Sequence, residues 1–435
     1  MPLVLAHVGL LVTWDLAARP LATLVCLGLG AGALAYAGWR LGRIGAPGAA
    51  TILLVAVVLR LLLLPVPPTL SEDVLRYLWD GKIAGAGLNP YLLEPDAPEL
   101  EPLRDADWQR LPHRHIPTVY PPLAMAAFSI AARLPVSRLA LKTLLTAADL
   151  ATCVLLLWLA RRRDLPRRRV VWYAWNPLVS LEVAGMGHVD ALGVTAIVAT
   201  VCLLTMRPRR VAAAASTAAA AVLVKLVPMV ALPAFARQSG QARLFLGLSV
   251  ALVAIACLPV AVAGGGVPPG LVTYGVSWEF NGPLWEPLWR LLDRIEVSVA
   301  VERALDAIKQ RTGEHDFWNR FYPFNYPELL AKLLLAPGLV AVVVLAWQRT
   351  DPLVSAGILF GGLPLFSATV YPWYLLWVLP WAALCRQPAW LVLAALAPLS
   401  YLPQVTDLPL MPWVFLAHWL PFAAVLAARP RWSTA

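Results

Sequence analysis

Charged and aromatic residues interrupt an otherwise apolar chain at Leu70-Ser71-Glu72-Asp73-Val74-Leu75-Arg76-Tyr77-Leu78-Trp79-Asp80-Gly81-Lys82. A membrane-length apolar run precedes this segment, and a long polar loop follows it. We therefore expect a helix over 71–84 that begins at a membrane surface. Asp73 and Tyr77 share one face of such a helix. Glu72 and Arg76 share the adjacent face.

The composition is that of a membrane protein. Of the 435 residues, 60% are hydrophobic and only 14% are charged, whereas soluble domains carry about a quarter charged residues. Apolar runs long enough to cross a bilayer recur along the chain and predict an all-α polytopic fold with about 11–14 transmembrane helices. The expected spans include 138–160, 170–186, 211–224 and 373–385. We expect one integral domain over residues 1–435, with outer loop regions at 67–137 and 264–328 forming the active-site face.

Basic residues indicate the orientation. They fall in short clusters between apolar runs, as in Arg161–Arg169, and this pattern marks cytoplasmic loops and not a nucleic-acid surface. If 121–134 crossed the bilayer, that cluster would lie outside, so we expect a re-entrant or interfacial helix there. Arg138 and Lys142 then lie on the outer face, where an anion such as a lipid phosphate explains them.

Asp73 is the leading catalytic candidate. It comes directly after an apolar span, so it should lie at the membrane surface, where a sugar on a lipid phosphate would be presented. A carboxylate there can act as general base on an acceptor hydroxyl. The alternative is that Asp73 and Glu72 only complement the positive end of the helix dipole.

Two further sites break apolar runs. His188 and Asp190 lie in a glycine-containing turn, where Asp190 suits a helix cap and His188 suits contact with a substrate. Lys225 interrupts the run from Val211 to Ala236, and an ionisable group at such depth indicates function unless it reaches the headgroups.

Aromatic and amide side chains on the outer face are candidate sugar contacts. Asn281 follows Trp278 at a glycine turn, and Tyr120 opens a Pro-Pro turn. Tyr371 and Trp373 join two spans, where an aromatic belt at the interface is the alternative explanation. A divalent metal is possible at the acidic and histidine positions already named, but no ligand spacing requires one. No cofactor is therefore assigned.

Several segments together resemble a known family. Besides Leu70–Lys82 they are Gly87-Leu88-Asn89-Pro90-Tyr91, Tyr120-Pro121-Pro122-Leu123, Trp175-Asn176-Pro177-Leu178, Gly187-His188-Val189-Asp190-Ala191-Leu192 and Tyr371-Pro372-Trp373-Tyr374. From about Arg60 to Pro380 the chain is similar to bacterial polyprenyl-phosphate-mannose-dependent mannosyltransferases and family-87-like glycosyltransferases of the GT-C fold.

The resemblance implies hexose transfer, with mannose expected, from a polyprenyl-phosphate donor on the outer face of the bacterial cytoplasmic membrane. Asp73 matches the acidic residue that such enzymes use as base, and Arg138 or Lys142 matches the cation that holds donor phosphate. We expect Lys225 to assist them. Two or three spans precede the acidic loop where many GT-C enzymes have one. No large C-terminal soluble domain follows, which favours a lipid or glycan acceptor over a protein.

Two other classes remain open from sequence. A transporter or flippase of a lipid-linked saccharide also uses intramembrane charges and proline-broken helices. A transporter should show a repeat that relates its halves and polar groups near the midplane, whereas the ionisable groups here crowd one face. A ligase or polymerase of lipid-linked glycans is the third class.

Overall fold

The computed structural model describes residues 1–264, 266–321, 326–428 and 432–433. Helices dominate this part of the chain, which confirms the predicted all-α membrane fold. The α-helices are α1 (Pro2–Thr13), α2 (Pro20–Ile44), α3 (Ala49–Leu63), α4 (Asp73–Gly85), α5 (Pro122–Ala132), α6 (Ser137–Arg162), α7 (Arg168–Ala174), α8 (Pro177–Ser180), α9 (Asp190–Thr205), α10 (Val211–Val224), α11 (Leu232–Ser239), α12 (Ala242–Gly264), α13 (Pro269–Ser277), α14 (Trp285–Arg294), α15 (Val297–Thr312), α16 (His315–Asn319), α17 (Pro327–Trp347), α18 (Pro352–Phe366), α19 (Leu379–Leu384), α20 (Pro388–Leu396), α21 (Leu402–Val405) and α22 (Phe415–Ala428).

Shorter helical turns connect these helices. The 3-10 turns are Pro98–Leu103, Trp108–Arg110, Val227–Ala231, Pro372–Trp377 and Ala397–Tyr401, and the π-helical turns are Leu181–Gly185 and Leu410–Val414. Within the described ranges, six helical runs are long and apolar enough to cross a bilayer, and six apolar helices are shorter.

Proline interrupts two of the expected spans. The span expected at 170–186 is divided into α7, α8 and a π-helical turn, with Pro177 at the start of α8. The span expected at 373–385 begins instead as a 3-10 turn at Pro372. Proline lacks the backbone N–H that a continuous helix requires, so it starts a new helix at these positions.

The first region expected to lie outside, 67–137, contains a pair of packed helices. α4 begins at Asp73, and α5 lies against it, so closely that a Cβ at Gly81 would stand 2.4 Å from the carbonyl carbon of Phe128. Tyr77 of α4 stacks on Phe128 with ring centroids 4.6 Å apart. With 11 residues α5 is about 16 Å long, half the hydrocarbon thickness, as expected for a helix that does not cross.

The second region expected to lie outside, 264–328, contains α13 to α16, and Asn281 makes several of its contacts with the rest of the protein. Residues 265 and 322–325 of this region lie outside the described residues. Phe280 and Asn281 pair with Thr369 by isolated backbone bridges. The Asn281 Oδ1 atom accepts a hydrogen bond from Trp419 Nε1 at 2.9 Å and lies 2.9 Å from His418 Nε2. These contacts connect the region 264–328 to α22.

A group of charged side chains is enclosed where α3, α6 and α7 meet. Arg60 Nε donates to Asp149 Oδ2 at 2.7 Å, and Tyr173 Oη donates to Asp149 Oδ1 at 2.6 Å. The side chains of Arg60 and Asp149 are completely buried. We call these three residues the sealed cluster.

Candidate active site

A cavity of about 710 Å³ opens beside the start of α4. Its walls come from several parts of the chain: Ala17, the end of the 64–72 connection with the start of α4, the loop 112–121, the segment 225–227, α13 with Trp278, the turn at 371–374, and residues 404–405. Seven of the predicted site residues line it. They are Glu72, Asp73, Arg76, Tyr120, Lys225, Tyr371 and Trp373.

Asp73 presents its carboxyl group to this cavity. It is the first residue of α4, where the free backbone N–H groups and the helix dipole favour a negative charge. Tyr77 Oη donates a hydrogen bond to Asp73 Oδ2 at 3.3 Å. The Asp73 side chain is 28% exposed, so a ligand in the cavity can reach the carboxylate.

A buried histidine supports Asp73 from the side away from the cavity. His188 Nδ1 lies 3.6 Å from Asp73 Oδ2, and His188 Nε2 lies 3.2 Å from Glu182 Oε2. Tyr401 Oη donates to both oxygens of Glu182, at 3.0 and 2.9 Å. The side chains of His188 and Glu182 have no exposed surface. We call Asp73, His188 and Glu182 the open cluster, because its first member reaches the cavity.

The local backbone explains why His188 faces inward. The π-helical turn Leu181–Gly185 ends α8, and the chain then reverses at Gly187, whose φ is +82°. A Cβ at Gly187 would lie 3.1 Å from Lys142 Cγ and 3.2 Å from Val74 Cγ2. Two features therefore favour glycine at this position: the positive φ, and the small space left by the side chains of Lys142 and Val74. The reversal directs the imidazole between α4 and the π-helical turn.

The charges of the open cluster depend on one another. Burial alone would lower the pKa of His188, but its contacts with Asp73 and Glu182 outweigh burial and raise it to about 9. Burial would likewise raise the pKa of Asp73, yet the interaction with His188 and the charge of Lys225 lower it below its ordinary value. At neutral pH Asp73 is therefore ionised and His188 is protonated.

Four aromatic rings form a continuous stack that begins on His188. The imidazole lies 4.1 Å from the Trp373 ring at an interplanar angle of 13°, and Trp373 lies 4.4 Å from Tyr371 at 6°. Phe280 completes the stack 4.6 Å beyond Tyr371. A protonated imidazole over an indole face is a favourable cation–π contact. The stack therefore holds His188 in place and forms one wall of the cavity.

Lys225 brings a positive charge to the same cavity. Its Nζ atom donates to Asp190 Oδ1 at 2.7 Å and lies 4.5 Å from the centre of the Tyr374 ring. Trp377 Nε1 also donates to Asp190 Oδ1, at 2.5 Å. Asp190 is fully buried, whereas the Lys225 side chain is 18% exposed. Asp190 thus holds Lys225 at the cavity wall without lining the cavity itself.

The remaining cavity residues mainly support its walls. Arg76 donates to Asp80 at 2.8 Å and to the carbonyl oxygens of His113 and Ile116 at 3.0 and 2.6 Å, so it fastens the loop above the cavity. Tyr120 packs edge-on against Tyr77 with centroids 4.9 Å apart.

The side chains of Glu72 and Asn281 are each engaged in polar contacts with other residues of the protein. Glu72 accepts a hydrogen bond from Arg110 at 3.1 Å. Asn281 is buried against α22 and does not line the cavity, because its amide oxygen is taken up by the contacts with Trp419 and His418.

Arg138 and Lys142 occupy different surroundings from those expected for a phosphate site. Arg138 donates to both carboxylate oxygens of Asp107, at 2.7 and 2.6 Å, and lies outside the cavity wall. Lys142 is buried and donates to the carbonyl oxygen of Val66 at 2.6 Å. His188 is likewise enclosed behind Asp73 and has no direct path to a ligand. For these three residues the expected contact with substrate has no geometric support here.

Two residues of this site were missed in the sequence. Glu182 lies in an apolar run that was treated only as a span, and Tyr401 lies in another. The rule that an ionisable residue within a span marks a functional site would have selected Glu182. Nothing in the sequence pairs it with Tyr401, which is 219 positions away. In the described part of the chain, no three His, Cys, Asp or Glu side chains form a group suited to a metal ion.

Comparison with known proteins gives one match. Residues 3–239, more than half of the chain, match the family model described as "Alpha-(1->6)-mannopyranosyltransferase, N-terminal domain". No curated protein and no solved structure matched the chain. The matched range includes Asp73, Glu182, His188 and Lys225.

Proposed function

Because the chain belongs to the alpha-(1->6)-mannopyranosyltransferase family and is therefore a glycosyltransferase, we propose that it takes mannose from a polyprenyl-phosphate donor. The acceptor is a lipid-linked or other glycan on the outer face of the bacterial cytoplasmic membrane. One observation carries the assignment: the carboxylate of Asp73 is exposed to a cavity and is backed by the buried His188 and Glu182.

The reaction is a single displacement at the anomeric carbon. Asp73 accepts the proton of an acceptor hydroxyl as that oxygen bonds to the anomeric carbon. The bond from this carbon to the phosphate oxygen breaks, and the polyprenyl phosphate leaves with the bonding electron pair. One displacement inverts the anomeric centre, so an alpha product requires a beta-linked donor. The (1->6) linkage of the family name makes the attacking group a primary sugar hydroxyl, which supports a glycan acceptor.

Lys225 is the cation that we assign to the leaving phosphate. It lines the cavity that contains Asp73, and its ammonium group can donate further hydrogen bonds beyond the one to Asp190. Hydrogen bonds between ionised partners are the strong ones, and here they strengthen as charge develops on the departing oxygen. We assign Arg138 and Lys142 to the support of the loop and of the connection after α3.

His188 is a positioning residue in this mechanism. It touches the base and not the substrate, and its contact with Asp73 keeps that carboxylate ionised and oriented. Glu182 and Tyr401 hold the imidazole from its other side. The stacked ring of Trp373 prevents the imidazole from turning away.

A transfer assay with purified protein in detergent tests the proposal. Radiolabelled mannose on polyprenyl phosphate should pass to a mannose-containing glycan, and the Asp73→Asn variant should transfer none above background. Transfer from a nucleotide-activated mannose, with none from the lipid donor, would overturn the donor assignment.

Labelling in intact cells tests the outer-face orientation separately. The arginine-rich loop places Leu165 in the cytoplasm by the charge rule. A Leu165→Cys variant should resist a membrane-impermeant thiol reagent that labels Ser298→Cys in the second outer region. Labelling of Leu165→Cys from outside would reverse the orientation.

A further inference from the structure

A second cavity lies on the side of the bundle formed by α2 and α20. It measures about 260 Å³ and is lined on one side by Leu27, Ala31 and Leu34 of α2. Leu391 and Ala395 of α20 line the other side. α8 and the last turns of α7 form its floor. We call this cavity the α2–α20 groove.

The groove and the cavity that contains Asp73 both adjoin a third, smaller space. A small crevice of about 10 Å³ lies between them. It shares Leu27 and Pro398 with the α2–α20 groove, and it shares Leu70 and Val405 with the larger cavity. Leu70 precedes Asp73 by three residues. The three spaces are therefore neighbours, with the crevice between the cavity of Asp73 and the groove.

The polar groups along this route are all turned into the protein. Thr23 Oγ1 donates to the carbonyl oxygen of Leu16 at 2.9 Å, and Tyr401 Oη donates to Glu182. Asn176 is also satisfied, because its amide nitrogen donates to Trp172 O at 3.2 Å and its oxygen accepts from Leu178 N at 3.0 Å. The surface offered to a ligand is therefore apolar, as a hydrocarbon chain requires.

We propose that the α2–α20 groove binds the isoprenoid chain of the donor. This inference rests on the proposed function. From Pro20 to Ala35 the route spans about 22 Å along α2, most of the hydrocarbon core, and it descends from the outer face toward the cytoplasmic side. A chain tethered to a phosphate beside Asp73 would reach the groove past Leu70, and the side chains that line the crevice of about 10 Å³ would move apart to admit it. A phospholipid acyl chain would have no such tether to the catalytic cavity.

Donors of two lengths test the groove. Ala31→Trp and Ala395→Trp each fill it, because Ala31 is half-buried and Ala395 is exposed at its edge. With a full-length polyprenyl-phosphate mannose, we expect KM to rise about tenfold. A rise of this size corresponds to about two methylene groups of the chain that can no longer be buried in the groove. With a donor of two isoprene units, which ends before the groove, KM and kcat should match the parent. Ala22→Trp is the matched control, an exposed position on α2 outside all three cavities.

The outcomes separate this inference from the proposed function. Equal losses on both donors would mean that the tryptophans only disturb packing, and unchanged KM on both would mean that no chain lies in the groove; either result overturns the inference. A rise in KM for Ala22→Trp equal to that of the groove variants would overturn it as well. If the parent transfers mannose from neither donor, the proposed function fails first.

Discussion

Two groups of buried charge in this protein differ in their access to water. The sealed cluster encloses the charges of Arg60 and Asp149 completely, and each is paired within the bundle. The open cluster buries His188 and Glu182 equally well but leaves Asp73 28% exposed to a cavity. Removing one partner of an enclosed ion pair leaves an unpaired charge in a low-dielectric interior, which is costly. Replacing the exposed member of the open cluster by its amide leaves a side chain that water can still reach, and His188 keeps its second partner, Glu182.

The comparison separates two uses of intramembrane charge. Ionisable residues within spans are expensive and are functional by default. In the sealed cluster that function is to join α3, α6 and α7. We assign the open cluster to chemistry, because its Asp73 carboxylate faces a cavity of about 710 Å³. Substitutions in the two clusters should therefore affect different measurements.

Asp73→Asn should give the largest effect on activity. The amide keeps the volume but cannot accept a proton, so turnover should fall about 10²–10⁴-fold while the thermal unfolding midpoint stays unchanged. Initial rates and unfolding in the same detergent measure both. Glu72→Gln is the control at the neighbouring position and should retain most activity. Parental turnover in Asp73→Asn would remove the general-base assignment.

Asp149→Asn should give the opposite profile. It leaves Arg60 buried without its ionic partner, and the loss of stability should be about 3–5 kcal/mol. Turnover per folded molecule should stay near that of the parent. Denaturation in detergent and active-site-normalised rates measure the two quantities. The double variant Arg60→Met/Asp149→Leu should recover much of the stability; a loss of turnover in that folded variant would make the sealed cluster catalytic.

Lys225→Gln should weaken the donor complex. A hydrogen bond to a charged group contributes about 1.5–3 kcal/mol, so the donor Kd should rise about tenfold or more. Arg138→Gln loses only a partly exposed ion pair with Asp107, which contributes about 0–1 kcal/mol. Lys225→Arg keeps the charge and should bind nearly as the parent does. A larger effect from Arg138→Gln would move the phosphate site to the loop.

Glu182→Gln should have its clearest effect on the pH dependence of the transfer rate. The pKa of His188 is raised from 6.5 to about 9, so its protonated form stabilises the native state fully below pH 6.5, and this stabilisation is lost as the pH rises through about 9. Without the charge of Glu182 the pKa of His188 should fall. The alkaline limb of the pH–rate profile should therefore move toward neutrality. At pH 6 the variant should lose less of the parent's rate than it loses at alkaline pH.

Glu286→Gln is the matched control for that experiment. Glu286 is also buried and also has a charged partner, Arg290 at 2.6 Å, but it lies in α14 away from the open cluster. Its pH–rate profile should match that of the parent. An unchanged alkaline limb in Glu182→Gln would mean that Glu182 has no electrostatic role at His188.

Much of the helical layout is predictable from hydropathy and charge. The spans expected at 138–160 and 211–224 are found at Ser137–Arg162 and Val211–Val224, because an apolar run flanked by arginines determines both ends. The sequence does not predict that the spans at 170–186 and 373–385 are divided into shorter helices. Whether Pro177 starts a new helix or only bends a longer one depends on neighbours that the local sequence does not specify.

The candidate site was partly predictable for a related reason. Asp73, His188 and Lys225 each interrupt an apolar run, and this interruption is visible in the sequence. Packing between segments that are distant in the sequence determines which of these residues contact one another. Arg138 and Lys142 suit a phosphate by position along the chain, but Arg138 pairs with Asp107 and Lys142 donates to the carbonyl oxygen of Val66, and neither lines the cavity.

The ring stack crosses a boundary in the chain. His188 lies within the range that the family model matches, whereas Trp373, Tyr371 and Phe280 lie beyond residue 239. Asp73, His188 and Glu182 thus come from the matched range, and the aromatic wall comes from beyond it. Because Trp373 stacks on His188 and Tyr401 donates to Glu182, a substitution in the second part of the chain can reach Asp73 through its buried neighbours.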